Sequence, residues 1–408
     1  MNNRRQVAAA PPTIRKRAAD WLECAVPSTE FQLAVQCCQR MFAGGNDLQI
    51  AELGQLVDWP AFLRLAQRHR VQALVWQSLS ELDLRPPSAV ADALSADASS
   101  ITETNLRAAA QSAKLLETFT EAGVPLLFVK GLTVSKLAYG QAFLKMSQDI
   151  DVLVPGEAIA AAAAQLERLG YSLVIPAVPP QSRQFERWHL KRKESVWRSP
   201  DGLQLELHSR LADSPDLIPG IGVNSPRQLV TVAPGIVLPT LAGDELFAYL
   251  CVHGASSAWF RLKWITDLAA LLHNCPTEEI ERLYNRSQQL GAGRAAAQAL
   301  LLANRVYGTP AVPGLDRKLV HRWLAKSAWQ QMLREDEPTA VRFGTATIHY
   351  TQLFLLPGIL FHLRELWRQL EEIATWRFTP WRGAPSATGL RLPCRGRTAG
   401  PSARGTPP

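Results

Sequence analysis

The chain has 408 residues, far more than one small domain needs, so a large core is available and two or three folding units are expected. Hydrophobic residues at 47% and charged residues at 20% match a folded globular protein, which excludes a chain that is disordered or fibrous over most of its length. The net charge of +8 would suit a nucleic-acid partner, but it is carried by basic ends (Arg4, Arg5, Arg15, Lys16 and Arg17; Arg377 to Arg404), which read as solvated tails.

The N-terminal "MNNRRQVAAAPPTIRKRAAD" is polar and broken by proline, without the apolar stretch and small-residue cleavage site of a secretion signal. The six cysteines form no CxxC pair and no cluster with histidine at metal-ligand spacing, so reduced thiols, no zinc site and a cytoplasmic protein are expected. From about Phe31 to Leu82 apolar residues recur at three and four, and Trp59-Pro60 opens a helix. A second helical pattern runs from about Ala89 to Ala122 and stops at Gly123. No solenoid-type repeat is visible.

The texture then changes. "VPLLFVKG" is a continuous apolar run closed by Gly131, as in a buried strand, and "LTVSKLAYG" returns to helical spacing. "DIDVLV" predicts a strand, "GEAIAAAAAQLERLGY" a helix and "YSLVI" another strand. Trp188 to Lys193 reads as a basic, aromatic loop: either solvated charge or a contact for an anion. A strand around "ESVWRS" and one in "DGLQLELH" are joined through Asp201-Gly202, a hairpin turn signal. After about Thr240 helical periodicity resumes and continues to "LFHLRELWRQLEEIATW"; the stretch Leu353 to Phe361, interrupted by Pro357 and Gly358, is too short to span a bilayer.

The chemistry-bearing pattern lies in "KMSQDIDVLV". On a strand Ile150, Val152 and Val154 share one face, while Asp149 and Asp151 share the other, expected to be the solvent side. Their α-carbons stand about 6.6 Å apart, a reach suited to one shared cation or to two cations about 3.5–4 Å apart. Glu206, with Gln204 and His208 on the polar face of a later strand, supplies a third carboxylate. The same alternation also occurs in plain amphipathic strands.

Upstream, Gly131 between a strand and a helix lets backbone N–H groups approach a phosphate, with Lys130, Thr133 and Ser135 as polar contacts; an ordinary helix-start turn has the same look. In the C-terminal half, Lys263 and Asp267 lie four apart, either as an exposed ion pair or, with His253, as the lining of a cleft opposite the carboxylates. His208 is either a contact for the acceptor or a hydrogen-bonded structural histidine.

These stretches, "LLFVKGLTVSKLAYG", "KMSQDIDVLVPGE", "LQLELHSRL" and "CVHGASSAWFRLKWITDLAALL", together resemble the bacterial uncharacterised nucleotidyltransferase family, a branch of the polymerase-beta-like superfamily, over about residues 30–375. The resemblance implies an α+β fold, a small mixed-sheet nucleotidyltransferase core flanked by N-terminal and C-terminal helical regions. Its divisions are a disordered basic tail at 1–29, a helical region at 30–122, the α/β core at 123–238, a helical domain at 239–376 and a second disordered basic tail at 377–408.

The resemblance further implies a Mg²⁺-dependent enzyme, with Mn²⁺ as substitute, moving a nucleoside monophosphate from an NTP, ATP first, to a hydroxyl of an unidentified small molecule, sugar or protein. Asp149, Asp151 and Glu206 fall at the metal and catalytic positions. Lys130, Gly131, Thr133, Ser135, Lys145, His208, His253, Lys263 and Asp267 fall to nucleotide binding. Leu132 follows the glycine where the superfamily has a small residue, residues 132–148 make a long spacing to Asp149, and Lys145 replaces the branch's more usual arginine. The alternative is an idle module of the same fold that binds a nucleotide, a partner protein or RNA. Neither a membrane span nor a nucleic-acid substrate is expected.

Overall fold

The computed structural model describes residues 26–82, 84–338 and 344–378, the side chains of 373–378 excepted. All but residues 26–29 and 377–378 of the two basic tails therefore lie outside the described residues. The chain divides into two units, 1–365 and 366–408.

The first unit opens with four helices, α1 (Thr29–Ala43), α2 (Asp47–Gly54), α3 (Trp59–His69) and α4 (Gln72–Ser80), followed by the long α5 (Ser88–Glu121). Local chemistry places their starts. The Ser28 and Asp58 side chains accept from the backbone N–H of Phe31 and Ala61, and Pro60 sits in the first turn of α3, where its missing N–H costs nothing. Then come β1 (Leu127–Phe128), α6 (Leu132–Tyr139), β2 (Asp149–Leu153), α7 (Ile159–Arg168), β3 (Ser172–Ile175), α8 (Arg183–Lys191), β4 (Glu194–Arg198), β5 (Gln204–His208), β6 (Arg227–Ala233) and β7 (Ile236–Leu241). The remainder is helical: α9 (Gly243–Ser256), α10 (Leu262–Leu272), α11 (Thr277–Gln289), α12 (Gly293–Tyr307), α13 (Leu319–Met332), α14 (Ala346–Gln352) and α15 (Ile359–Phe378). The second unit begins within α15, where Arg368 pairs with Glu372 one turn on at 3.0 Å.

Five strands form one mixed sheet in the order β1-β2-β5-β4-β3, and β6 and β7 form a separate hairpin. The architecture is α+β, as expected. β2 and β5 are parallel and in register, so that Asp151 stands opposite Glu206 and Leu153 opposite His208, while β4 runs antiparallel to β5 and sets Glu194 against His208. Asp201-Gly202 makes the β4–β5 turn, with Gly202 at φ 86°.

Two cores flank the sheet. Ile150, Val152, Val154, Trp197, Leu205 and Leu207 point into one, shared with α5 and α7. Each fully buried aliphatic side chain there contributes about 1.5–3 kcal/mol. Leu153 points the other way, into the helical core of α1, α9, α10 and α12. The Asp149/Asp151 face is therefore not the solvent face that alternation alone suggested. It looks toward the helices, and Asp151 is only 4% exposed.

One further expectation is corrected. The segment around Trp188 and His189 is not a loop: Ser182 caps Phe185, and Phe185 and His189, four apart, bury one face of α8. The charged residues between them mask that short stripe. The β6–β7 hairpin was not foreseen. Among the described residues no helix is long and apolar enough to cross a membrane.

Candidate active site

The polar face of the sheet collects Asp149 and Asp151 from β2, Glu206 and His208 from β5 and Glu194 from β4. One ligand atom each from Asp151, Glu206 and His208 lies within 4.8 Å of the others. His208 Nε2 is 3.1 Å from Asp151 Oδ1 and 3.5 Å from Glu206 Oε2, and its Nδ1 is 3.3 Å from Glu194 Oε2. Lys130 reaches the same group from the end of β1, with Nζ 2.7 Å from Asp151 Oδ1 and 3.9 Å from Glu206 Oε2.

The carboxyls do not behave alike. Burial would raise the pKa of Asp151, but the Lys130 ammonium and the His208 hydrogen bond hold it well below the usual carboxylate range. Burial, then the neighbouring Asp149 and Glu194 charges, push Glu206 up to about 8. Asp149 is raised as well, by burial and by Asp151. Against the burial that would lower it, hydrogen bonds to Asp151 and Glu206 carry His208 up to about 9. Lys193 at the edge, 3.3 Å from Glu194 and 3.7 Å from Asp213, is held above its ordinary value by those acids against its burial. Two carboxyls with raised proton affinity mark a site short of positive charge, and a divalent cation fits this donor set.

The turn before α6 closes the other side. Gly131 sits at φ 65° and ψ −122°, and a Cβ there would meet Ser147 Oγ at 2.7 Å, so only glycine fits. A small pocket is lined by Lys130, Gly131, Thr133, Ser147, Asp149 and Asp151. Thr133 and Ser135 are buried and engaged with the backbone: Thr133 Oγ1 donates to Lys130 O at 3.2 Å, and Ser135 Oγ donates to Gln141 O at 2.7 Å while accepting from Lys145 N–H at 3.3 Å. They hold the turn and the following loop in shape.

A second, cationic group faces Asp149. Lys145 pairs with Asp267 at 2.6 Å, and Tyr139 donates to the same carboxylate at 2.9 Å, all three buried. Asp267 is thus bound across elements, and the ion pair with Lys263 one turn away does not form. No ion pair of Lys263 is found among the described residues. Its burial, then Lys145, Arg70 and Arg261, depress its pKa far below that of an ordinary lysine. Arg70, at the left-handed end of α3 (φ 58°), donates to the Gln148 side chain beside Asp149. Arg261 is held in a fork by Glu337 at 2.8 and 2.9 Å. His253 sits half-buried, edge-on to Trp264 with ring centroids 5.5 Å apart; burial, with Lys130 and Lys193 nearby, keeps its pKa low.

The structure therefore gathers Lys130, Gly131, Asp149, Asp151, Glu206 and His208 around one cleft, with Lys263 within the electrostatic reach of Asp149. Thr133, Ser135, Lys145 and Asp267 are committed to structural partners. Sequence reading missed Glu194, Arg70 and Arg261. Glu194 carried a signal, since it stands two residues from Val196 in a strand that the sequence predicts; Arg70 and Arg261 carried none, because tertiary packing alone brings Arg70 to Gln148 and Arg261 into the electrostatic reach of Lys263.

No curated protein matches the sequence. The description "uncharacterised nucleotidyltransferase" matches residues 55–308, from the residue that follows α2 to the residue that follows α12. That span covers more than half of the chain and contains every residue of the cleft, so the chain belongs to the uncharacterised nucleotidyltransferase family.

Proposed function

We propose that the protein is a Mg²⁺-dependent nucleotidyltransferase, with Mn²⁺ as substitute, that transfers a nucleoside monophosphate from an NTP, ATP first, to a hydroxyl of a small-molecule, sugar or protein acceptor. The observation that carries this reading is the in-register pairing of Asp151 with Glu206 on adjacent parallel strands, beside Asp149 and facing the Gly131 turn. Its free cysteines fit a reducing, cytoplasmic setting.

When bound, the metal would neutralise phosphate charge; Asp151 and Glu206, with Asp149 beside them, would hold it. The protein's own groups do the rest. The Gly131 turn and the start of α6 present backbone N–H groups to phosphate oxygens. Arg70 balances part of the remaining phosphate charge, and Lys263, whose proton affinity is depressed in the free protein, would take up a proton when an anionic phosphate arrives beside it. Glu206, mostly protonated at neutral pH in the metal-free cleft with its carboxyl at about 8, would take the acceptor's hydroxyl proton in the ionised form that it adopts beside a bound cation. The acceptor oxygen bonds to the α-phosphorus, the bond from that phosphorus to the bridging oxygen breaks, and pyrophosphate leaves. Catalysis rests on positioning and charge neutralisation, without a covalent enzyme intermediate.

The 2.7 Å Lys130–Asp151 pair supports a second reading, in which the ammonium serves in place of a cation and the cleft binds a nucleotide, a partner protein or RNA without turnover. Calorimetry with each NTP, with and without Mg²⁺ or Mn²⁺, on the native chain and on Asp149→Asn/Asp151→Asn separates the two. Metal-dependent binding that the double change abolishes supports the enzyme, and label transfer from NTP to an acceptor completes it. Binding that ignores metal, with no pyrophosphate release, supports the second reading.

A further inference from the structure

His208 is 1% exposed and lies in the centre of the acidic face, yet its two ring nitrogens face different partners. Nε2 points between Asp151 and Glu206, at 3.1 and 3.5 Å. Nδ1 points away from them, toward Glu194 on β4 at 3.3 Å. Backbone register sets this arrangement: Glu194 and His208 are direct partners across β4 and β5, and His208 lies two residues after Glu206 on the same strand face. In the metal-free cleft Nε2 is the nitrogen that donates, to Asp151, while Nδ1 faces the Glu194 carboxylate within ion-pair distance without a formed hydrogen bond. A carboxylate so placed favours the tautomer protonated on Nδ1, which gives Nε2 a lone pair for a metal that takes the place of its proton.

We propose that His208 is itself a ligand of the metal site, through Nε2 and together with Asp151 and Glu206, and that Glu194 is the residue that orients it. The proposal rests on the metal-dependent reading above and adds to it a nitrogen ligand. Magnesium is held almost wholly by oxygen, and an imidazole shifts preference toward first-row transition ions. The site accordingly selects Mn²⁺ or Co²⁺ over Mg²⁺ when both are offered. Lys130, already on Asp151 Oδ1, then serves as the counter-charge of the ligand carboxylates rather than as the only cation there.

The test uses the full chain and Mn²⁺ alone. Pulsed electron paramagnetic resonance of Mn²⁺ bound to the native protein is expected to show nitrogen coupling that changes when the protein is made with ¹⁵N-histidine and disappears in His208→Gln. Calorimetry is expected to give Mn²⁺ binding at least about tenfold tighter than Mg²⁺, with Glu194→Gln lowering Mn²⁺ affinity about 10–100-fold and narrowing the Mn²⁺/Mg²⁺ ratio. The labelling arm needs no substitution, so a variant that fails to fold does not decide the matter. Mn²⁺ that binds and is lost in Asp151→Asn, but shows no histidine nitrogen and no preference over Mg²⁺, overturns the proposal and leaves the metal-dependent enzyme standing. Absence of binding by either ion overturns both.

Discussion

Lys130 Nζ lies 2.7 Å from Asp151 Oδ1, and this ion pair joins the end of β1 to the middle of β2 beneath the helical core. Removing the ammonium leaves Asp151 buried among other acids with only His208 to offset it. Lys130→Met is expected to destabilise the metal-free protein by about 3–5 kcal/mol. Because a dication meets the same need, added Mn²⁺ should raise the melting temperature of Lys130→Met more than that of the native chain. Equal shifts in scanning calorimetry would contradict the placement of Lys130 as the site's internal counter-charge.

Glu206 and Asp151 should separate stability from activity. With its pKa near 8, the Glu206 carboxyl is mostly protonated at neutral pH and donates to Asp149, a role that an amide can fill. Glu206→Gln is expected to unfold within about 0.5 kcal/mol of the native chain while losing about 10²–10⁴ in turnover. Asp151→Asn strands Lys130 and His208 and should cost about 3–5 kcal/mol. Urea melts beside pyrophosphate-release assays check both.

The Gly131 turn tolerates no side chain. Gly131→Ala meets Ser147 Oγ at 2.7 Å in a backbone conformation foreign to alanine, and is expected to cost about 1–3 kcal/mol and to weaken NTP binding. Gly140, at the left-handed end of α6 with open space around it, is the control. Gly140→Ala should cost about 1 kcal/mol and leave binding unchanged.

Lys145 and Asp267 form a buried pair with Tyr139 attached. Asp267→Asn leaves the Lys145 charge unmatched and is expected to cost about 3 kcal/mol or more, whereas Lys263→Met removes no ion pair. It should leave stability unchanged or improved, and weaken NTP binding. A double-mutant cycle between positions 145 and 267, read in urea midpoints, should show strong coupling, and one between 263 and 267 little.

Acid should weaken the fold through histidines buried neutral. His69, whose Nδ1 accepts the Leu262 N–H at 3.0 Å, has its pKa lowered by burial and by Arg68 and Arg261, and His189 is lowered to about 3 by burial, His208 and Arg210. Both are lower in the fold than the unfolded value of about 6.5. Below that value the unfolded chain binds more protons, so stability present above it is lost as pH falls toward the folded values. Each contributes a slope of about 1.4 kcal/mol per pH unit. Urea midpoints between pH 7 and 5 should fall accordingly, and His189→Asn should flatten the slope. His208 has the opposite sign: its contribution is present below about 6.5 and is lost as pH rises through about 9.

The alternation of Asp149-Ile150-Asp151-Val152 and of Gln204-Leu205-Glu206-Leu207-His208 was legible because the strand period is a local property: each side chain's face follows from its neighbours along the chain. Gly131 was legible for the same reason, since its conformation belongs to one turn. The helix starts at Ser28 and Asp58 likewise need only nearby atoms. What covers a strand face is not local. The reading that sent Asp149 and Asp151 to solvent failed because the helical core closing over β2 comes from residues far away in the chain. Register is equally remote: that Asp151 meets Glu206 and that Glu194 meets His208 depends on how β4 and β5 align beside β2. Ion-pair partners followed the same rule. Lys263 and Asp267 were neighbours on one helix surface, yet Asp267 bonded to Lys145 and Tyr139, because a carboxylate that packing buries is costly to leave unpaired and the partners set against it come from other elements.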